Sequence, residues 1–141
     1  MTIKKSILVA LGLVLYTITG FSQVTEEKVI GDTLKVAIKN IGKEINSTFP
    51  DFSSVITADG KVMFFTSRRP STEKEIKKNK EGLEKIYFTT YSDKNKKWSP
   101  ATSIPEPVNA PNRHNSNIAV SNDGSWLLIY RDDENGNGDI Y

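Results

Sequence analysis

Asp133 to Tyr141, read as DENGNGDIY, carries a run of candidate ligand oxygens. Asp133, Asn135 and Asn137 alternate, Gly138 follows, and Asp139 adds a second carboxylate. Carboxylate and amide oxygens at alternate positions before a glycine open a calcium loop, where glycine makes the sharp bend. The bidentate acid of such a loop would fall beyond Tyr141, and both flanks read as strands rather than helices. A polar turn between strands explains the same residues and is preferred. No metal or cofactor is therefore assigned, and calcium on Asp133, Asn135, Asn137 and Asp139 stays as the alternative.

Other reactive types are few. His114 is the one histidine, in the polar run APNRHNSN, and there is no cysteine. Without a G-x-S-x-G elbow or a histidine beside a nucleophile there is no acyl-transfer triad, and the chain is expected not to be an enzyme. Trp98, Trp126, Tyr87 and Tyr141 read as packing groups before they read as a ligand platform. Asn46 and Asn109 read as turn formers.

The elements that would position these residues begin after an export signal. Lys4 and Lys5 precede the uncharged run SILVALGLVLYTIT, and Gly20 and Ser22 supply small residues before a cut between Ser22 and Gln23. This is the layout of a secretory signal peptide. The alternative is an uncleaved anchor, but the apolar run Ile7 to Tyr16 is shorter than the ~20 residues that span a bilayer. No membrane-spanning segment is expected after cleavage. The whole chain of 141 residues has a formal charge of +2. Losing the two lysines brings Lys plus Arg from 19 to 17, level with the 17 Asp plus Glu. A balanced charge offers no footprint for nucleic acid. An exported chain without cysteine must hold its fold by packing and hydrogen bonds.

Laying the chain on itself reveals a repeat. FSSVITADGKVMFFTSRR (Phe52 to Arg69) matches NSNIAVSNDGSWLLIYRD (Asn115 to Asp132), with the pivots Asp59-Gly60 and Asp123-Gly124 standing 64 residues apart. Asp-Gly between β-type runs marks a hairpin, because glycine tolerates positive φ. The run after each pivot is apolar on both faces, as a strand in the middle of packed sheets is. Upstream, IGKEINS pairs with IPEPVNA; downstream, EKIYFTTY pairs with GDIY, with ten extra residues in the first copy. These extra residues lie in PSTEKEIKKNKEGLEK, Pro70 to Lys85, a mixed-charge excursion in which Thr72 and Glu75 fit a capping box. Its functional reading is a partner-contact loop.

One complete unit is predicted: strand a at Phe52–Thr57, b at Lys61–Ser67, c at Lys85–Tyr91 and d at Trp98–Ile104. Four short antiparallel strands per repeat make up a propeller blade. Thr33 to Gly42 aligns with the strand-d region and reads as an outer strand for another blade, with a short amphipathic helix as the alternative.

At these motifs the chain resembles the TolB-like β-propeller repeat, a WD-repeat-like family of bacterial envelope proteins. The matching residues are Asp59, Gly60, Phe65, Ser67, Arg68, Tyr87 and Trp98 in the first copy, and Asp123, Gly124, Asp139 and Tyr141 in the second. The family's usual proline before the turn aspartate is missing from both copies. The resemblance covers roughly residues 41–141. It implies a periplasmic, outer-membrane-associated or secreted binding or scaffolding propeller whose partner is an envelope protein or a peptidoglycan-associated one. Similar blades also precede serine hydrolase domains, where they filter substrates; that reading and a glycan- or calcium-binding propeller are the alternatives. The expected architecture is thus all-β: a signal peptide (1–22), a linker (23–32), and repeats over 33–141 forming one four-stranded blade and part of a second. Propellers need about 4–8 blades, so the chain is expected to be a fragment of a longer one.

Overall fold

The computed structural model describes residues 26–30 and 34–141. The signal segment and its cut at Ser22 and Gln23 lie outside them. The described chain is mostly β-strand and divides into two units, Met1–Asn40 and Ile41–Tyr141.

The first unit contains a hairpin, β1 (Glu26–Ile30) with β2 (Leu34–Ile38), antiparallel from Glu26 opposite Ile38 to Ile30 opposite Leu34. The strand reading of Leu34–Ile38 is the one the structure adopts, not the helical alternative. Its partner is β1, which falls in the stretch read as linker.

The second unit holds two antiparallel sheets. In the first, β3 (Asp51–Ile56) pairs β4 (Val62–Ser67), and β4 pairs β5 (Lys85–Ser92). The outer edge of β5 takes two short pieces, β6 (Lys97–Trp98) and β7 (Thr102–Ser103). The single strand d predicted at Trp98–Ile104 is therefore broken. Pro100 has no N–H to donate, and the next amide, Ala101, turns away to the Glu44 carbonyl at 2.9 Å. In the second sheet, β8 (Asn115–Val120) pairs β9 (Leu127–Asp132), and β9 pairs β10 (Gly138–Ile140).

The registers repeat. Phe52 lies opposite Thr66 and Val55 opposite Phe64; Ser116 lies opposite Tyr130 and Ala119 opposite Leu128. Each pair is the other displaced by 64 residues, and each ladder slips at the same place, between Phe52 and Val55 and between Asn117 and Ala119. Ile86 faces Thr66 and Ile140 faces Tyr130, so the ten-residue excursion sits where the alignment puts it. That excursion contains α1 (Glu73–Lys78), whose capping box is Thr72 with Glu75 and whose end is Asn79 at φ 45°.

The Asp-Gly turns are built alike. Gly60 and Gly124 have φ of 70° and 74°. The Thr57 hydroxyl donates to Asp59 Oδ1 at 2.6 Å and accepts the Val62 N–H at 3.0 Å. The Ser121 hydroxyl does the same for Asp123 Oδ1 at 2.6 Å and the Trp126 N–H at 3.0 Å. A side chain at either glycine must enter the left-handed region, so Gly60→Ala and Gly124→Ala are each expected to cost about 1–2 kcal/mol in urea unfolding.

The apolar core lies in the first sheet. Met63, Phe65 and Tyr87 pack with Ile45 from the connector before β3, and Trp98 and Ala101 close over them. Phe65 and Tyr87 stack with centroids 5.9 Å apart. A polar cluster joins the two sheets. Thr66 Oγ1 donates to Asn117 Oδ1 at 2.9 Å and lies 2.8 Å from Ser116 Oγ, and Asn117 Nδ2 donates to the Ser53 carbonyl. Thr66, Asn115 and Asn117 are buried.

Candidate functional site

Two arginines organise the ends of the sheets. Arg69, just past β4, donates from Nε to Ser67 Oγ at 2.8 Å and from Nη2 to the Ile45 carbonyl at 2.7 Å and Asp51 Oδ1 at 2.9 Å. Its guanidinium lies 4.6 Å from the Tyr87 ring centroid. Arg131, inside β9, donates from Nε to Asn115 Oδ1 at 2.8 Å and from Nη2 to the Val108 carbonyl at 2.7 Å, and lies 5.3 Å from the Tyr141 centroid. Ile45 and Val108, Asp51 and Asn115, and Tyr87 and Tyr141 are repeat equivalents. The same clamp thus forms twice, from arginines two positions apart in the alignment. Residues two apart on an extended chain share a face, so Arg69 folds back over Ser67 to reach the place Arg131 occupies directly.

Arg68, the arginine of the repeat motif, has a different role. It donates to Glu84 Oε1 at 3.1 and 2.6 Å and lies 3.7 Å from Glu81. It fastens the base of the excursion.

Buried asparagines close the open backbone. The Asn109 carboxamide takes the Ile86 N–H at 2.8 Å and gives to the carbonyls of Ile86 at 2.8 Å and Ile104 at 2.7 Å, so a side chain pairs with β5 as a strand would. Asn115 gives its amide to the carbonyls of Ala110 at 3.1 Å and Arg113 at 3.0 Å. His114 joins the sheets: its ring Nδ1 accepts the Glu84 N–H at 3.3 Å and its backbone N–H donates to Asp132 Oδ1 at 2.7 Å.

The tail forms the β9–β10 turn. Asp133 Oδ1 accepts the N–H groups of Asn135 at 2.8 Å and Asn137 at 2.9 Å, and Gly136 has φ 81°. The Asn137 N–H, foremost, holds the Asp133 carboxyl below its ordinary value. Amide hydrogens thus face this carboxylate where a calcium loop would bring a cation. Asp139 lies opposite Arg131. Among the described residues, no group of three or more His, Cys, Asp or Glu side chains is placed to hold a metal ion.

Concavities among the described residues include an open depression and a cleft. The depression lies at the far end of β5, lined by Tyr91, Trp98, Ser92, Asn95, Lys97 and Ser99. Tyr91 and Trp98 meet edge to face at 5.3 Å, and Lys61, ion-paired with Asp93, lies over Tyr91. The cleft lies between the two Asp-Gly turns, lined by Thr57, Asp59, Val62, Phe64, Asn122, Asp123 and Gly124. Its carboxyls are spoken for. The Thr57 hydroxyl keeps Asp59 low, and the Ser121 hydroxyl, with Ser125, brings Asp123 to about 2. A general acid or base works best with a pKa near the operating pH, and both groups are held far from it.

Sequence motifs located Asp59, Gly60, Asp123, Gly124, Phe65, Ser67, Tyr87 and Trp98; the fold brings Phe65, Ser67 and Tyr87 together around Arg69 and packs Trp98 on the same core. They missed Arg69, Asp51 and the roles of Asn115 and Asn117. The signal available was the doubled arginine at Arg68-Arg69. No family model matches the chain, and neither a curated protein nor a solved structure matches it.

Proposed function

We propose that the chain is part of an exported, non-enzymatic β-propeller of the TolB-like kind, acting as a binding or scaffolding module in the cell envelope. The observation that carries this is the repetition of strand register, bulge and turn at a spacing of 64 residues, with an arginine clamp in each sheet and one sheet stacked on the next. Repeats that bury their faces only against neighbours create extended surfaces, and such surfaces bind. Its partner is an envelope protein or a peptidoglycan-associated one, and the excursion around α1 is the contact loop.

Photo-crosslinking from Lys77 in intact cells tests it. The expected result is an adduct with an envelope protein, and mature chains beginning at Gln23. A chain retaining Met1 in the cytoplasm, or partner capture unchanged when Pro70 to Lys85 is replaced by Asn-Gly, counts against the reading or its loop.

The Tyr91–Trp98 depression favours glycan binding as a second reading, since an aromatic pair rimmed by hydroxyl and amide groups suits a sugar ring. In a Trp126→Phe variant the remaining Trp98 emission should shift on titration with muropeptides. An unchanged spectrum removes this reading.

A further inference from the structure

We infer that the Tyr91–Trp98 depression takes an acidic sugar, one carrying a carboxylate or a phosphate, in preference to a neutral one. This rests on the glycan reading given above and adds the charge of the ligand. The depression measures about 590 Å³, within the range of small-molecule sites. Its lining residues all lie between Thr90 and Pro100, at the end of β5, in the β5–β6 turn and just beyond β6.

The hydrogen-bonding capacity left unused there is mostly that of donors. Among the described residues, the Trp98 indole N–H, the Asn95 carboxamide and the Lys97 ammonium have no hydrogen-bond or ion-pair partner. An indole N–H and an ammonium can only donate. The Ser92 hydroxyl accepts the Asn95 N–H at 3.2 Å and keeps its own hydrogen to give. A carboxylate or phosphate oxygen carries charge and several lone pairs, so it answers such donors better than a sugar hydroxyl does.

The charge agrees. The β5–β6 turn brings Lys94, Lys96 and Lys97, all exposed. Asp93 is the one carboxylate of that turn, and it pairs with Lys61, which lies over the Tyr91 ring. Asp59, near Lys61, is engaged by the Thr57 hydroxyl and the Lys61 N–H. Among the described residues no acid answers the three lysines of the turn.

A peptide fits less well. A peptide that adds to a sheet edge needs free backbone groups. At this end the edge of β5 is already covered, because Tyr91 pairs with Trp98 and Ser92 with Lys97. What stays open is the edge-to-face aromatic pair with donors around it.

Three monosaccharides that share one ring test the charge: N-acetylglucosamine, its 6-phosphate, and N-acetylmuramic acid, which adds a lactyl carboxylate. Trp98 emission is followed in the full mature chain carrying Trp126→Phe. At least one acidic sugar should bind roughly tenfold more tightly than N-acetylglucosamine, the worth of a hydrogen bond to a charged group. The advantage should shrink as salt is added, and which acidic sugar binds separates carboxylate from phosphate. Lys97→Glu should abolish the advantage; Asn95→Asp serves in its place if that variant fails to fold by circular dichroism. Equal binding of all three sugars, or an advantage that survives Lys97→Glu, overturns the inference and leaves the glycan reading standing. Inorganic phosphate that competes as well as the phosphosugar shows a bare anion site and overturns it. Tetraglutamate that binds more tightly than either acidic sugar assigns the depression to a protein and overturns it too. An emission spectrum that none of the three sugars moves removes both this inference and the glycan reading beneath it.

Discussion

Asn109→Leu is expected to destabilise the protein by about 2–3 kcal/mol, because a buried amide loses its partner, at a cost of roughly 1–3 kcal/mol, and a partly buried carbonyl loses its nearest donor. The groups are the Ile86 N–H and the Ile104 carbonyl. The Ile86 carbonyl keeps the Ile104 N–H and suffers less. Leucine is close to asparagine in size, so the loss reports hydrogen bonding rather than a void. Asn109→Asp makes the test sharper. The carboxylate still accepts from Ile86 but faces two carbonyls where the amide donated, so it should cost at least as much as leucine. Urea midpoints at constant slope check both. If Asp proves milder than Leu, the amide is not acting as a surrogate strand.

Arg69→Met should cost about 2–3 kcal/mol, somewhat below the figure for breaking a fully buried ion pair, since both partners retain some solvent. It removes hydrogen bonds to Ile45 and Asp51 and the contact with Tyr87, and leaves the Asp51 carboxylate without its cation. The second sheet supplies the control. There the position of Asp51 is Asn115, which accepts from Arg131 without a charge. Asp51→Asn in the first sheet should therefore cost only about 1 kcal/mol.

The pH dependence follows with a definite sign. Burial pushes the Asp51 carboxyl upward, but hydrogen bonds from Ser67, Arg69 and Ser47 outweigh it and leave it below the ordinary 3.8. A depressed carboxyl contributes stability that is present above 3.8 and is lost as pH falls through the lower folded value. Arg69→Met removes one of the lowering donors, so the folded value rises and this pH-dependent component should shrink, the variant and wild type converging in stability as pH falls. Asp51→Asn should lack this component altogether. Carboxyl chemical shifts followed through an acid titration would read Asp51 directly.

Much of the strand order was legible because Asp-Gly turns and doubly apolar strands leave strong local marks. Val62 to Ser67 and Lys85 to Ser92 lie within a residue of where the pattern puts them. The excursion and its capping box were legible for the same reason, since Thr72 and Glu75 are three residues apart on one turn. Strand d was less so: Pro100 was visible, but its effect depended on where Ala101 could send its N–H. The clamp was not legible by alignment. Ser67 and Arg131 share a column, whereas Arg69 and Arg131 share a task. Asn115 and Asn117 stand in the polar run APNRHNSN, and only the stacking of β8 on the first sheet shows that their amides are buried.

The excursion between β4 and β5 has a practical consequence. Its base is tied by Arg68 to Glu84 and by the Gly82 N–H to the Arg68 carbonyl at 2.9 Å, next to the last ladder pair, Ser67 with Lys85. Beyond that knot, α1 has no buried residue and is held by its own cap. Doubling the length of a flexible loop adds only ~0.6 kcal/mol of closure cost. The tip around Lys78 and Asn79 is therefore a permissive insertion point. An epitope or fluorescent reporter carried there would mark the protein in living cells without disturbing its ladders.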